Sequence, residues 1–199
     1  MKKIMLMAVV LLSSVAASAQ HAVGSITLQP KVGMNVANLT EFDNADSRIG
    51  LAAGAELEYQ VSDIFSLSGG AIYSMQGSKY DRSFLNQTIR TTTKLDYINV
   101  PIMANVYVVK GLAVKLGIQP GFNVNSKQTF SGKTVVGDID EKAELDAKSV
   151  DFSIPVGLSY EYNNVVLDAR YNWGLTKVFE GSDAKNSVFQ ITLGYKFDL

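Results

Sequence analysis

The sequence contains no cysteine and only one histidine among its 199 residues. Without cysteine, neither disulfides nor thiolate-bound metals can hold the fold together. The histidine, His21, lies close to the N-terminus, in what we expect to be a disordered tail. A Ser-His-Asp triad or a histidine-bound zinc would need an imidazole that is held in place. We therefore predict no catalytic residues, no metal site and no cofactor.

The sequence also lacks an apolar run long enough for a transmembrane helix, which needs about 20 residues. The first apolar stretch, residues 4–12, is shorter, follows two lysines and precedes small residues at 13–19 that end in Ala-Ser-Ala. This pattern is typical of a secretory signal peptide. We predict a cleavable signal peptide at residues 1–19 and one domain at residues 20–199. If that domain crosses a membrane, it must do so as a β-barrel.

Strong charge of either sign is missing as well. The formal net charge is −1, and removal of the two lysines in the signal peptide changes it to −3. This mildly acidic balance argues against nucleic acid as a partner.

Apolar and polar residues alternate through almost all of the remaining chain, in eight separate runs. A period of two predicts β-strands with one apolar face. The runs cover residues 26–36, 49–61, 65–75, 98–108, 112–124, 150–162, 165–175 and 189–199. A tilted strand crosses a bilayer with roughly 9–11 residues, and single-chain bacterial barrels have an even number of strands. The pattern predicts an all-β, eight-stranded antiparallel up-and-down barrel.

The predicted connections alternate in length. Tight turns with suitable residues lie at Ser62-Asp63, Lys110-Gly111 and Asn163-Asn164. Long polar segments cover residues 38–48, 77–95, 125–149 and 176–186, and we assign no structure to residues 132–148. Outer-membrane barrels have short periplasmic turns and long extracellular loops. Candidate contact residues in these loops are Tyr80, Arg82, Phe84, Leu85 and Phe130, although anchoring of the loops would explain them equally well.

The distribution of aromatic residues indicates which way the apolar face points. One set lies near the turn end of the strands: Tyr59, Phe65, Tyr160, Tyr162, Tyr195 and Phe197. A second set lies toward the loop end: Tyr73, Phe122, Phe152, Tyr171, Trp173 and Phe189. Two aromatic girdles around an aliphatic band are expected where a barrel meets the two lipid headgroup layers. A soluble barrel or sandwich with its apolar face inside remains the alternative.

The opposite face carries charges of both signs: Lys31, Glu56, Glu58, Lys115, Asp151, Glu161, Asp168, Arg170 and Lys196. Inside a narrow barrel such groups can pair, which avoids an isolated charge in a poorly hydrated space. We therefore predict a network of ion pairs in the lumen. Glu56 and Glu58 share this face and could in principle carry out acid–base chemistry, but a salt-bridge network explains them better.

Four strand patterns carry a resemblance to a known family. They are Pro30-Lys31-Val32-Gly33-Met34-Asn35, Leu95-Asp96-Tyr97-Ile98-Asn99-Val100-Pro101, Ala169-Arg170-Tyr171-Asn172-Trp173-Gly174-Leu175 and Leu193-Gly194-Tyr195-Lys196-Phe197. The chain resembles the porin-like outer-membrane β-barrel family common in Bacteroidetes, whose domains are similar in size to the OmpA and OmpX barrels. The resemblance implies an outer-membrane location in a Gram-negative bacterium, contact with outer-membrane lipid and insertion by the barrel assembly machinery. The chain departs from many barrels by ending in Leu199, so Tyr195 and Phe197 are the candidates for the assembly signal.

With eight strands, side chains just fill a barrel. We therefore expect a non-enzymatic structural or surface-interaction barrel with a filled lumen and a possible extracellular partner at the long loops. The alternatives are a narrow channel or porin for small solutes, a soluble lipocalin-like ligand carrier, and an enzyme acting on lipid or peptide.

Overall fold

The computed structural model of the chain describes residues 21–40, 45–84, 87–134 and 137–199. The predicted signal peptide lies outside these residues, and so does the candidate contact residue Leu85. The strands are β1 Ile26–Leu39, β2 Asp46–Ser62, β3 Phe65–Phe84, β4 Gln87–Asn99, β5 Ile102–Val109, β6 Leu112–Thr134, β7 Gly137–Glu144, β8 Val150–Tyr162, β9 Val165–Gly174, β10 Asn186–Tyr195 and β11 Phe197–Asp198. Among the described residues, no helix has the length and hydrophobicity needed to cross a membrane.

The strands close into an antiparallel ring. Most strands pair with the next strand along the chain, β6 pairs with β8 past β7, and β10 pairs with β1 from Lys31 opposite Gly194 to Leu39 opposite Asn186. Strands β4 and β5 together occupy one position between β3 and β6, and β11 continues β10 along β1. The ring therefore has eight strand positions, which confirms the predicted eight-stranded up-and-down barrel.

The break between β4 and β5 falls at Val100 and Pro101. Proline has no backbone N–H to donate, so it interrupts a ladder of hydrogen bonds. The neighbouring strands stay bonded across the break, because Gly70 N donates to Pro101 O at 3.2 Å and Val100 N donates to Pro120 O at 2.8 Å. What the sequence predicts as one strand, residues 98–108, is thus two strands that follow one another.

The predicted turns and loops have different outcomes. Asn163 and Asn164 have φ values of 49° and 66°, as the two central residues of a tight type I′ hairpin require. In contrast, most of the predicted loops 77–95 and 125–149 is strand. The loop prediction was wrong there because threonine-rich, polar segments pair with one another through their backbones, and such pairing needs no apolar face.

The extended parts of β3, β4, β6 and β7 form a four-stranded antiparallel sheet beyond the ring, which we call the wing (residues 78–84, 87–95, 126–134 and 137–144). One row of neighbours across it consists of Tyr80, Thr91, Phe130 and Glu141. Because the wing parts of β3, β4 and β6 continue ring strands without a break in the chain, the wing is fixed to the barrel at its base.

The two faces of the ring differ as predicted. Apolar side chains such as Val32 and Leu116, each 55% exposed, point outward. Charged side chains such as Glu56 and Arg170 are buried inside, each 1% exposed. A polar interior with an apolar exterior is the arrangement of a membrane barrel. It is also the reverse of what a lipocalin-like carrier needs, so that alternative was wrong.

The aromatic residues lie at two levels of the ring. At the turn end, Tyr59, Tyr162, Tyr195 and Phe197 are exposed, with the last two rings 4.8 Å apart, while Phe65 and Tyr160 are partly buried. The other set follows the rim where the ring ends and the wing begins: Tyr73, Phe122, Phe152, Tyr171, Trp173 and Phe189, all exposed. Their position at the lipid headgroups stays a prediction.

Candidate functional site

Five charged side chains meet in the middle of the lumen, and we call them the central cluster. Lys31 Nζ lies 2.7 Å from Glu56 Oε2, and Lys115 Nζ lies 2.8 Å from Asp168 Oδ2. Arg170 donates from Nε and Nη2 to both carboxylate oxygens of Asp168, each at 2.8 Å. Its Nη1 lies 3.0 Å from Glu56 Oε1, in an ion-pair contact outside hydrogen-bond geometry. Each carboxylate thus contacts three cations.

Strand alternation and glycine together make this cluster possible. Glu56 and Arg170 occupy inward positions on β2 and β9, opposite Gly70 and Gly157 on the next strands. A Cβ at Gly157 would come within 2.5 Å of Ala169 O and 2.8 Å of Arg170 Cβ, and one at Gly70 would come within 2.1 Å of Ala55 O. Only glycine fits such close approaches, so these positions leave the space that the long charged side chains fill.

A second group, the turn-end cluster, lies nearer the short turns. Lys196 Nζ is 2.8 Å from Glu161 Oε2, 3.1 Å from Glu58 Oε2 and 3.2 Å from the Tyr107 hydroxyl. Glu58 also accepts hydrogen bonds from Tyr107 and, at 2.7 Å, from Ser66. Glu56 and Glu58, the pair considered for acid–base chemistry, therefore belong to different clusters and face different cations.

His21 is not in a free tail, so that prediction was wrong. Its Nε2 lies 3.0 Å from Glu161 Oε1 and its Nδ1 lies 2.5 Å from Asp198 Oδ1, and its side chain is only 11% exposed. The hydrogen bond with Glu161 raises the pKa of His21 above its ordinary value. Glu161 is 140 positions away in sequence, so no local signal could have revealed this contact. His21 links the N-terminal segment to the turn-end cluster.

Asp151 belongs to neither cluster, which corrects its predicted place in the charge network. It accepts hydrogen bonds from Thr176 Oγ1 at 2.5 Å and Asn186 Nδ2 at 3.0 Å, and no described cation lies within salt-bridge distance. The reason is its position at the loop end of β8, where its neighbour on β6 is Gly121. Neutral donors therefore satisfy this carboxylate.

A further charged contact near the loop end was missed. Arg48 donates to the backbone oxygen of Gln76, and its Nη1 lies 3.5 Å from Asp96 Oδ1. Asn125 donates to the other oxygen of Asp96 at 2.8 Å. Arg48 fell in the predicted loop 38–48, although β2 starts at Asp46. Continuing the alternation of β2 from residue 52 to residues 50 and 48 would have placed Arg48 on the inward face.

An apolar cap closes the loop end of the lumen. Leu39, Leu95, Tyr97 and Val178 are each at most 2% exposed and pack together, with Ala147 and Phe179 against them. The cap draws on β1, β4 and the two segments that flank β8 and β9. Lys148 N donates to Val178 O at 2.8 Å, which ties these segments to each other. The lumen is thus filled by charges at two levels and covered by apolar side chains above them.

The candidate contact residues fall on the wing. Tyr80 and Phe130 lie in one row, each next to Thr91. Arg82 and Phe84 are placed by backbone position in β3. No group of three or more metal-ligating side chains occurs among the described residues.

Comparison with known proteins identifies the family. Residues 18–180 match the family model described as the outer membrane protein beta-barrel domain. The chain belongs to this family. Its location is therefore the outer membrane. No curated protein sequence matches the chain.

Several solved barrels are similar to the chain at low identity. The chain is similar to Ail, the attachment invasion locus protein of Yersinia pestis, at 12% identity over 88% of this chain and 100% of that one, with a TM-score of 0.46. It is similar to Neisserial surface protein A at 18% identity over 86% and 97%, with a TM-score of 0.49. It is similar to the N-terminal barrel of Pseudomonas aeruginosa OprF at 10% identity over 89% of this chain and 100% of that one, with a TM-score of 0.39.

Proposed function

We propose that this outer-membrane barrel is a closed, non-enzymatic scaffold that holds the wing at the cell surface for contact with an extracellular partner. The observation that carries this proposal is the wing itself, in which β3, β4 and β6 extend beyond the ring and form one hydrogen-bonded sheet with β7. Binding residues on strands are held more precisely than residues on free loops. An aromatic row with Tyr80 and Phe130 supplies contact area of the type that binding surfaces favour.

The filled lumen supports a scaffold rather than a channel. A path for solutes would have to separate the buried ion pairs of the central cluster, and breaking one such pair costs on the order of 3–5 kcal/mol. The apolar cap of Leu39, Leu95, Tyr97 and Val178 would have to move as well.

The same contacts argue against catalysis by the lumen carboxylates. A general base must reach the proton that it removes. Glu56 and Asp168 are each surrounded by three cations and are at most 1% exposed. Neither carboxylate is free to meet a substrate.

The outer edge of the wing suggests how a partner could bind. Among the described strands, β7 pairs only with β6, so its other edge offers unpaired backbone N–H and C=O groups. An exposed strand edge can accept an extended segment of another protein as an additional strand. The acids of β7 (Asp138, Asp140, Glu141 and Glu144) would favour a segment that carries basic residues.

A wingless variant tests the role of the wing. Residues 79–92 and 128–143 are replaced by two-residue Asn-Gly turns, and heat-modifiable migration on a gel checks that the ring still folds. We expect intact cells that display the wild type to bind immobilised host-cell or matrix proteins, and cells that display the wingless variant to lose that binding. Equal binding by both would refute the role of the wing.

Planar-bilayer recording of the same two proteins tests closure. We expect no discrete conductance from the wild type, because the central cluster and the cap both block the lumen. Stepwise conductance from the wild type would overturn the closed scaffold and favour the narrow channel.

A barrel in the outer membrane must be exported and inserted there. We infer that residues 1–19 are removed as a signal peptide, that residues 20–199 form the mature barrel, and that Tyr195 and Phe197 serve the barrel assembly machinery as the insertion signal. Intact-mass measurement of the protein from outer membranes should give a chain that begins at Gln20. A mature chain that retains residues 1–19 would contradict this inference.

A further inference from the structure

Three lysines form a patch on the outer face of the wing, directly above the aromatic rim. Lys94 on β4 lies opposite Lys127 on β6, and Lys79 on β3 is the diagonal neighbour of Lys94, because it pairs with Thr92. Residues opposite each other in a sheet point to the same face. We call Lys79, Lys94 and Lys127 the lysine patch.

Strand register places the lysine patch on the same side of the strands as the outward, apolar residues of the ring. On β4, Lys94 is four residues from Ile98, which points outward and is 42% exposed. On β3, Lys79 has the same parity as the outward-facing Tyr73. Four residues of strand cover about 13 Å. The lysines therefore follow the exposed apolar surface upward, to the level where lipid headgroups would begin.

These lysines lack partners within the described part of the chain. No salt bridge joins any of the three to an acid there, although Asp46 lies opposite Lys79 and Glu144 lies opposite Lys127 in register. Asp96, below Lys94, contacts Arg48 and Asn125 instead. Like charges directly opposite each other destabilise a sheet. Glu144 offsets part of this repulsion from the far side of Lys127, but Lys94, which lies between Gly77 and Lys127, has no acid directly opposite it.

We propose that the lysine patch binds the phosphate groups of lipid headgroups in the outer leaflet of the outer membrane. Lysine is a compact cation on a long apolar stem, which lets it lie along an apolar surface while its ammonium group reaches headgroup phosphates. An anionic membrane surface attracts each nearby basic residue by about a factor of five in affinity. A headgroup that binds here also relieves the repulsion between Lys94 and Lys127, and it holds the base of the wing against the membrane.

The test uses the full chain, purified in a neutral maltoside detergent and titrated with diphosphorylated lipid A, with native mass spectrometry as the readout. The triple variant Lys79→Gln/Lys94→Gln/Lys127→Gln should bind this lipid about 100-fold more weakly than the wild type, since three basic residues contribute about fivefold each. A control variant, Lys110→Gln, removes a lysine at the opposite, turn end of the barrel and should stay within about twofold of the wild type. Lipid A without phosphates should bind the wild type and the patch variant equally.

Three results would overturn the proposal. The first is unchanged lipid binding by the patch variant, and the second is an equal loss in the control variant. The third is wild-type binding of the dephosphorylated lipid that is as tight as its binding of diphosphorylated lipid A. Inorganic phosphate, tested at the same phosphate concentration, should not compete with the lipid. Full competition would assign the patch to a free anion instead. If the triple variant fails to fold, as judged by gel migration, Lys94→Gln and Lys127→Gln are each tested alone, and unchanged binding in both also refutes the patch.

Discussion

The lumen holds two clusters that both combine cations with carboxylates but differ in the balance of their charges. The central cluster combines three cations with two carboxylates, Glu56 and Asp168. The turn-end cluster places Lys196 alone between Glu58 and Glu161. One group has a cation in excess and the other a carboxylate in excess. Charge neutrality is reached only by the two clusters together.

The difference in charge balance indicates that the two clusters have separate structural roles. The central cluster connects β1, β2, β6 and β9, which lie on several sides of the ring, and its members are buried throughout. It fixes the shape of the barrel across its width. The turn-end cluster is joined by His21 from the N-terminal segment, and His21 also contacts Asp198 near the C-terminus. It ties the two chain ends to the ring, at a place where a proton can change the balance.

The largest loss of stability is expected from removing Arg170, which contacts both carboxylates of the central cluster. Arg170→Ala should lower the free energy of unfolding by about 3–5 kcal/mol, the cost of breaking a buried ion pair from one side. Lys31→Ala should cost less, because Arg170 and Lys115 still contact Glu56. Urea unfolding in detergent measures both losses.

Arg170→Met controls for packing, because methionine keeps much of the volume of arginine and removes the charge. Wild-type stability of both Arg170→Ala and Lys31→Ala would mean that the central cluster does not hold the barrel together. A loss in Arg170→Ala that Arg170→Met fully restores would assign the effect to packing instead.

The two clusters also show which features of the lumen can be predicted from the sequence. Strand alternation alone places Glu56, Lys115 and Arg170 on one inward face, because side-chain direction along a strand has a fixed period. It does not give the register between strands or the reach of each side chain, so it cannot separate Glu58 from Glu56 into another cluster. The eight-stranded ring followed from the same alternation.

Other features required contacts that no local pattern encodes. The wing was missed because backbone pairing between polar segments leaves no apolar period to detect. His21 was missed because its partner Glu161 is brought to it only by ring closure. Asp151 was placed with the cations because alternation gives its face but not its height along the lumen.

A smaller effect is expected in the turn-end cluster. Lys196→Met leaves Glu58 and Glu161 without their shared cation and should lower the free energy of unfolding by about 2 kcal/mol, a typical value for hydrogen bonds to charged groups. The cost is below that of Arg170→Ala because this cluster lies near the barrel end, beside the 65% exposed side chain of Asp198. Urea unfolding of both variants under one condition compares them, and a larger loss in Lys196→Met would reverse our assignment of the barrel-fixing role to the central cluster.

The smallest effect, and the one that depends on pH, is expected at His21. The pKa of His21 is raised in the folded protein by its hydrogen bond with Glu161, so the protonated ring stabilises the fold. This contribution is fully present below the ordinary histidine pKa of 6.5 and is lost as the pH rises through the raised value. His21→Gln should therefore lower stability by up to about 1 kcal/mol at pH 5, in the range of a partly exposed ion pair, and by much less at pH 9. The difference in urea midpoint between variant and wild type, followed from pH 5 to pH 9, isolates the histidine because every other group titrates in both proteins. A difference that stays constant over this range would show that His21 acts through its shape alone, and the turn-end cluster would then carry its excess carboxylate at every pH.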